Sequence, residues 1–406
     1  MSIEFPISET RSLPENYHKP EGLVDKLKKL MNNIRGKFME PETKPQEISV
    51  TPKNRHGFAE MVEDLIPRDP ANKKQDYLND MRFMAMGGEN LVMTFEEGTK
   101  HQDFVYKINY GQAIINYWLL GDDLEEARKR SSDKIARIPN KVAQAREYFG
   151  KSAVPAQKLM VRDLPVDQDV VARLAPIFHG LNLPEKVPMI VTVQRKLDLS
   201  GGLVSLNGFY PERYFSEGKR SDLETYKLAY EYMLDDMEGV PNRARMDWVI
   251  LDQYPRLKES YEMMRNLPRF NEALCGSVAN MVRFSNETGI LLELAGRNNI
   301  ALAREGSVLD TDYEVDWKFI MPDAITPALD MTLDDLAENC DLLDKGENLS
   351  PLQLELLGNE LNSVRYVNFL ARLVGLSERI QAPALKKVSA DKWIELFMQK
   401  KRALAA

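Results

Sequence analysis

The alternation of apolar and polar positions predicts a small sheet in the first half of the chain. Short runs rich in apolar and aromatic residues occupy Arg82–Met86, Leu91–Phe95 and Phe104–Asn109, with turn-forming residues between them. Such spacing is typical of an antiparallel meander. Two later runs, Lys158–Val166 and Val187–Val193, again have strand character. We therefore expect five strands, with helices inserted after the third.

The inserted helices are predicted from their end signals. Asp122 and Asp123 are suited to cap a helix start, and acidic residues follow in its first turn. Pro139 should break or kink this helix, because proline lacks the backbone N–H that an interior turn requires. A second helix is then expected over Lys141–Phe149, ending at Gly150.

Beyond residue 199 the pattern becomes mostly helical. Apolar residues at three- and four-residue spacing predict helices over Asp222–Met237, Tyr254–Met264 and Asn271–Asn286. Near the C-terminus, Ser350 begins a capping-box motif with a proline at the first helical position, and that helix should run to Gly375.

Three short strands are expected within this helical part, over Ile290–Leu294, Asn299–Ala303 and Trp317–Met321. The turn-rich Arg304–Asp316 should be an exposed connection between the last two. Prolines interrupt residues 1–80 so often that we predict a partly disordered extension there. The pattern as a whole predicts an α+β fold.

Composition restricts the possible partners. The hydrophobic content of 43% indicates a globular protein, and no apolar run reaches the ~18 residues of a membrane span. A net charge of −8 without a basic stripe disfavours nucleic acid as the main partner. The two cysteines suit a reducing cytosol, and the first residues lack a secretion signal. We therefore expect a cytoplasmic protein with no membrane span.

Three short stretches carry the candidate chemistry: the adjacent Gly87 and Gly88, the strand residue Lys107, and Glu293 followed by Asn298 and Asn299. Loops over phosphates are glycine-rich because side chains obstruct the approach to backbone N–H groups, although a plain hairpin turn has the same sequence. A mid-strand lysine is costly to bury unless it meets an anion, although an edge-strand lysine can extend to water. An ordinary hairpin with an asparagine turn would equally explain the third stretch.

In this order the three stretches resemble the site of protein kinases. The chain is similar to the protein-kinase-like superfamily, nearer to its divergent bacterial, aminoglycoside-phosphotransferase-like and pseudokinase branches than to the eukaryotic enzymes. The resemblance implies a two-lobed fold, with a small antiparallel-sheet N-lobe over 81–196 and a helical C-lobe with a catalytic-loop hairpin over 197–330. It also implies that the helical segment 331–406 packs on the C-lobe.

The resemblance further implies a site for ATP and Mg²⁺. Gly87 and Gly88 would cover the phosphates, and Lys107 would contact them while pairing with Glu126 of the next helix. The alternatives to Glu126 are Glu125 and Glu147. Gln194 lies where the hinge between the lobes would meet the adenine edge.

In the second half of the site, Glu293 stands where kinases carry the aspartate that positions the attacking hydroxyl. Glutamate keeps the charge but reaches farther by one methylene. Asn298 or Asn299, together with Asp323, would hold the metal ion. Asp323 lies two residues after the expected metal-binding position, which the resemblance aligns with Met321. A long regulatory loop over Arg304–Asp316 is not expected.

Two function classes remain open on this reading. A degenerate, pseudokinase-type module would bind a nucleotide or serve as a scaffold, with its extension and helical tail available to a protein partner. An active, divergent ATP-dependent phosphotransferase would act on a protein or small-molecule hydroxyl. The substituted loop acid and the displaced metal acid favour the first, and Lys107 with the paired asparagines favours the second.

Overall fold

The computed structural model describes a defined set of residues: 81–86, 90–95, 98, 102–166, 171, 183–197, 203–206, 227, 231–232, 247, 250–251, 255–294, 299–305, 315–321, 324–325 and 329–396. All of them belong to one compact unit, Ser49–Ala406. The predicted extension over residues 1–80 and most of the predicted helix Asp222–Met237 lie outside the described residues.

Within the described residues the larger sheet has five antiparallel strands. They are β1 (Met81–Met86), β2 (Asn90–Phe95), β3 (Phe104–Asn109), β4 (Gln157–Pro165) and β5 (Lys186–Arg195). The last strand inserts between β3 and β4, which gives the spatial order β1-β2-β3-β5-β4. The five predicted strands are thus confirmed, with ends that differ by at most two residues.

One face of this sheet forms a hydrophobic core. Tyr106 and Ile108 of β3 and Val191 of β5 are completely buried in it. The chain leaves β3 directly into a short helix, α1 (Tyr110–Ile114), which continues as a π-helical turn over Ile115–Leu119. Side chains of both pack against the same core. Removing this apolar area from water is the main stabilising contribution to the sheet.

Helix α2 (Leu124–Phe149) is one continuous helix of 26 residues. Asp123 caps its start, as predicted, by accepting hydrogen bonds from two backbone N–H groups of the first turn. The predicted division at Pro139 is wrong. Ile138 and Val142 beside it are buried, and their packing outweighs the single hydrogen bond that the proline removes.

A second, smaller sheet follows in the described part of the chain. Its antiparallel strands β6 (Leu203–Ser205), β7 (Ala301–Arg304) and β8 (Trp317–Ile320) lie in the order β6-β7-β8. Strand β7 begins two residues later than predicted. Leu197, just after β5, packs against Ala301 and its neighbours in this sheet, so the chain passes from the larger sheet directly to the smaller one.

The prediction of a regular β-strand over Ile290–Leu294 is wrong. Among the described residues of this stretch, only Ile290 forms a bridge, to Thr332. The N–H of Leu291 donates to the carbonyl of Met331, whereas the N–H of Glu293 donates to that of Ala324 (both 3.0 Å). Donors two residues apart meet acceptors seven residues apart, so these two hydrogen bonds do not belong to one regular ladder.

Helices make up most of the remaining described chain: α3 (Pro255–Asn266), α4 (Pro268–Thr288), α5 (Leu333–Asp344), α6 (Pro351–Leu373), a 3₁₀ helix over Pro383–Lys387 and a last helix over 390–396. The capping box of Ser350 is confirmed: its side chain accepts from the N–H of Gln353, whose side chain accepts from the N–H of Ser350. The fold class is therefore α+β, with a small antiparallel sheet ahead of a helical part.

Helix α2 connects these two parts. At its C-terminal end, the ring of Phe149 lies 5.5 Å from that of Phe284 in α4 and 5.6 Å from that of Phe319 in β8. Just beyond α2, the carbonyl of Ala153 accepts a hydrogen bond of 2.8 Å from the N–H of Met321, which follows β8. Both contacts join the end of α2 to the helical part of the protein.

Candidate functional site

The alternation of β3 places Lys107 on the face opposite the hydrophobic core. Tyr106 and Ile108, its neighbours in sequence, enter the core, and successive strand residues point to opposite faces. Lys107 lies directly across from Thr192 of β5 in the antiparallel pairing. Only 7% of Lys107 is exposed, so this lysine is buried in the middle of the sheet and is not an edge lysine extended to water.

Other buried polar residues share this face with Lys107. Thr192 is 8% exposed, and Gln194, two residues farther along β5, is 4% exposed. Diagonal neighbours on one sheet face are separated by ~7–8 Å, which long side chains can span. We call Lys107, Thr192 and Gln194 the polar strip. It combines a cation, a hydroxyl and an amide on one face of the sheet.

The amide of Gln194 has an unsatisfied atom. Among the residues that the structure describes, its Oε1 is a buried oxygen without a hydrogen-bond partner. Leaving a buried polar atom unpaired costs ~1–3 kcal/mol, so such atoms in native proteins usually have a ligand, an ion or an ordered water nearby. The polar strip therefore contains a buried acceptor that a hydrogen-bond donor would satisfy.

Glu293 and Asn299 form the second candidate cluster, and the structure brings their side chains together. The Nδ2 group of Asn299 donates hydrogen bonds to Oε2 of Glu293 and, at 3.3 Å, to the backbone carbonyl of the same residue. Both residues are 8% exposed. Because the amide nitrogen faces the glutamate, the amide oxygen is the atom that remains available to an incoming cation.

Four of the predicted site residues lie outside the described residues: Gly87, Gly88, Asn298 and Asp323. The roles predicted for them stay predictions. Of the two asparagines that were alternatives for the metal, Asn299 is the one that the structure describes beside Glu293.

The structure does not bring Glu126 to Lys107. Glu126 lies in the first turn of α2 with 46% of its side chain exposed, and its ion pairs are with Lys129 (3.9 Å) and Arg130 (3.7 Å) on the same helix. Its two predicted alternatives, Glu125 and Glu147, are exposed as well. The first turn of α2 projects into solvent, whereas Lys107 is buried, so the expected pairing with Glu126 is corrected here.

A charged cluster beside the Glu293 segment was missed by sequence reasoning. Asp330 Oδ1 lies 2.7 Å from Nζ of Lys141, and Asp330 Oδ2 lies 3.0 Å from a guanidinium nitrogen of Arg137. Burial acts to raise the pKa of Asp330, but the positive charges of Lys134, Lys141 and Arg137 more than offset this and hold the pKa below its ordinary value. The three cations recur along one face of a helix, which in sequence is typical of a solvated surface.

A second carboxyl group, Glu360 of α6, was also missed. It is completely buried, and its Oε1 accepts a hydrogen bond of 3.3 Å from the N–H of Thr332. Burial, together with the nearby charge of Asp335, raises the pKa of Glu360 to about 9. This carboxyl group is therefore protonated at neutral pH. A glutamate in a helical pattern carries no signal of burial in the sequence alone.

Two further findings come from the described residues as a set. No group of three or more histidine, cysteine, aspartate or glutamate side chains is arranged there to hold a metal ion. No helix among them combines the length and the apolar character that crossing a membrane would require.

Comparison of the chain with protein-family models, with curated proteins and with solved structures gives no match in any of the three. The resemblance to the protein-kinase-like superfamily therefore stays a prediction from a few residues and their order.

Proposed function

We propose that this chain is a degenerate, pseudokinase-type module that binds a nucleotide in the polar strip. The observation that carries the proposal is the burial of Lys107 beside Thr192 and Gln194. On this face the ammonium group of Lys107 would contact the phosphate chain of a nucleotide through charge-assisted hydrogen bonds. The unsatisfied Oε1 of Gln194 offers a hydrogen-bond acceptor to the same ligand.

The fold supports this proposal at a coarser level. An antiparallel five-stranded sheet with a long helix between its third and fourth sequential strands, followed by a helical part, is the layout that the kinase resemblance implies. Fold alone does not establish an activity. The proposal for binding therefore depends on Lys107 and its neighbours.

Asn299 fits a role toward Mg²⁺. Its amide oxygen is a hard oxygen ligand of the kind that this ion accepts, and the hydrogen bonds to Glu293 fix the amide orientation. When bound with a nucleotide, Mg²⁺ would neutralise part of the phosphate charge. The nucleotide phosphates and Asp323 would have to supply the remaining ligands.

The contact between Glu293 and Asn299 favours a second candidate, an active ATP-dependent phosphotransferase. In that case Glu293 would orient the attacking hydroxyl of a protein or small molecule. Its carboxylate, oriented by Asn299, would accept the hydroxyl proton. Loss of phosphate transfer in Glu293→Gln, with nucleotide binding retained, would identify this activity.

The first experiment is thermal unfolding of the full chain with and without ATP and Mg²⁺, in the parent and in Lys107→Met. Methionine preserves the length of the side chain and removes its charge. Ligand at ~100 times its dissociation constant should stabilise the parent by about 2.7 kcal/mol, seen as a rise of a few degrees in Tm. The variant should lose this shift.

Lys158→Ala is the matched control, because Lys158 is an exposed lysine of the same sheet, on strand β4 beside β5. It should keep the full nucleotide shift. A parent protein that is folded but gives no shift would refute nucleotide binding. An equal shift in the parent and in Lys107→Met would place the nucleotide away from the polar strip.

A further inference from the structure

The segment that carries Glu293 is held in place by residues 329–333, which lie beside it in the fold. Ile290 is bridged to Thr332, and the N–H of Leu291 donates to the carbonyl of Met331 at 3.0 Å. The N–H of Leu333 donates back to the carbonyl of Gly289 at 2.8 Å. The position of the backbone just before Glu293 therefore follows that of residues 331–333.

Residues 330–332 are in turn fixed from two sides. On one side, each carboxylate oxygen of Asp330 meets a different cation of α2, Lys141 or Arg137. On the other side, Glu360 accepts a hydrogen bond from the N–H of Thr332. The side chain of Thr332 also caps α5 by accepting from the N–H of Asp335.

Of these contacts within the described residues, only the ion pairs of Asp330 join residues 329–333 to α2. Only 15% of the Lys141 side chain and 24% of the Asp330 side chain are exposed, so the pair is shielded from solvent. Partly buried pairs are screened by salt less than exposed pairs and depend more strongly on both partners being present.

We propose that Asp330 is a positioning residue, whose carboxylate couples α2 to the segment that sets the place of Glu293. When the pair is closed, α2 holds residues 330–332 against 289–291. When it opens, the hydrogen bond that Leu291 donates to Met331 loses its support from α2, and the backbone next to Glu293 opens more easily. The importance of this coupling for the candidate site rests on the proposed function, but the coupling itself does not.

Hydrogen exchange of the full chain, followed by mass spectrometry without nucleotide, tests the coupling. In Asp330→Asn, peptides containing the amides of Leu291 and Glu293 should exchange about tenfold faster than in the parent, because local opening becomes easier. Asp330→Glu keeps the charge and should largely restore protection. Amides in the pairing of β3 with β5 should exchange at the parental rate and provide the internal reference.

Lys141→Met removes the partner of Asp330 on α2 and provides a second test if Asp330→Asn does not fold. It should expose the same two amides. The matched control is Asp341→Asn in helix α5, which breaks an exposed ion pair between Asp341 and Lys387. This variant should leave the amides of Leu291 and Glu293 protected.

Unchanged exchange at Leu291 and Glu293 in both Asp330→Asn and Lys141→Met would overturn the proposal. Faster exchange of equal size throughout the protein would also overturn it, since Asp330 would then contribute only to global stability. Neither result depends on nucleotide binding, so a failed nucleotide shift and a failed coupling are separate outcomes.

Discussion

Asp330 and Glu360 are two carboxyl groups that fix the position of residues 330–332. Their pKa values nevertheless shift in opposite directions. Burial acts to raise the pKa at both sites. At Asp330 the three cations of α2 more than offset burial, and the pKa is lowered. At Glu360 the neighbouring charge is that of Asp335, which adds to the effect of burial.

The cations of α2 account for the lowered pKa of Asp330, which is also less deeply buried than Glu360. Asp330 is a carboxylate in an ion pair at neutral pH. Glu360 is a neutral carboxylic acid that acts only through hydrogen bonds. The same backbone segment is therefore supported by one ion pair, which depends on charge, and by one hydrogen bond to an uncharged acid.

The largest expected effect concerns Glu360 and pH. The folded protein keeps Glu360 protonated up to a pKa of about 9, whereas the unfolded chain releases this proton above ~4.3. The folded state therefore binds one more proton across this window. Stability from this group is complete below the lower value, and it falls by about 1.4 kcal/mol per pH unit as pH rises toward the upper one.

Glu360→Gln should remove this dependence while keeping the shape of the side chain. We expect the variant to gain stability relative to the parent as pH rises, measured by urea unfolding at several values between about pH 5 and about pH 9. Parallel pH profiles for the two proteins would show that Glu360 is ionised in the folded state.

The next effect in size is that of Asp330→Ala. This change removes the carboxylate that pairs with the partly buried Lys141, and should lower the free energy of unfolding by about 2–3 kcal/mol at neutral pH. Because the pKa of Asp330 is lowered in the folded state, its contribution is present above the unfolded pKa and is lost as pH falls through the folded one. Urea unfolding at neutral and acidic pH measures both.

The control for Asp330→Ala is Asp341→Ala, since Asp341 and Lys387 form a pair with 48% and 42% of their side chains exposed. Water already screens that pair, so little change is expected. Equal losses in the two variants would mean that the cations around Asp330 add nothing beyond an ordinary surface pair.

The smallest effect separates the members of the Asp330 cluster. The side chain of Arg137 is 60% exposed and that of Lys141 is 15% exposed. Arg137→Gln should therefore cost only about 0.5 kcal/mol, and less still at about 1 M salt. Lys141→Met should cost more and respond less to salt. The reverse ranking, in the same unfolding assay, would assign the pairing to Arg137.

The predictability of the structure differs between these regions for physical reasons. The strands of the larger sheet and the capped starts at Asp123 and Ser350 are local signals, and the structure confirms them. The continuity of α2 through Pro139 depends on tertiary packing, which local propensity does not contain. The sequence predicted that Lys107 lies in a strand, but not that Thr192 of β5 would lie opposite it. The pairing of β3 with β5 depends on residues that are distant in the chain.

The same limit applies to the acids. Asp330 and Lys141 are separated by 189 residues along the chain, and in the sequence Glu360 resembles any other helical glutamate. Asn299 was one of two open alternatives for the metal, and the sequence did not show which of them would contact Glu293. Long-range charge and burial therefore had to be read from the structure.

The unbroken course of α2 has a mechanical consequence. At 1.5 Å per residue, its 26 residues make a rod of about 39 Å. Arg128 near one end contacts Asp163 of β4, and Phe149 at the other end contacts the helical part. A tilt of about 5° pivoting at one end would displace the other by ~3 Å, which is about one hydrogen-bond length. A small rotation of the larger sheet would therefore be enough to make or break a contact between Phe149 and the helical part.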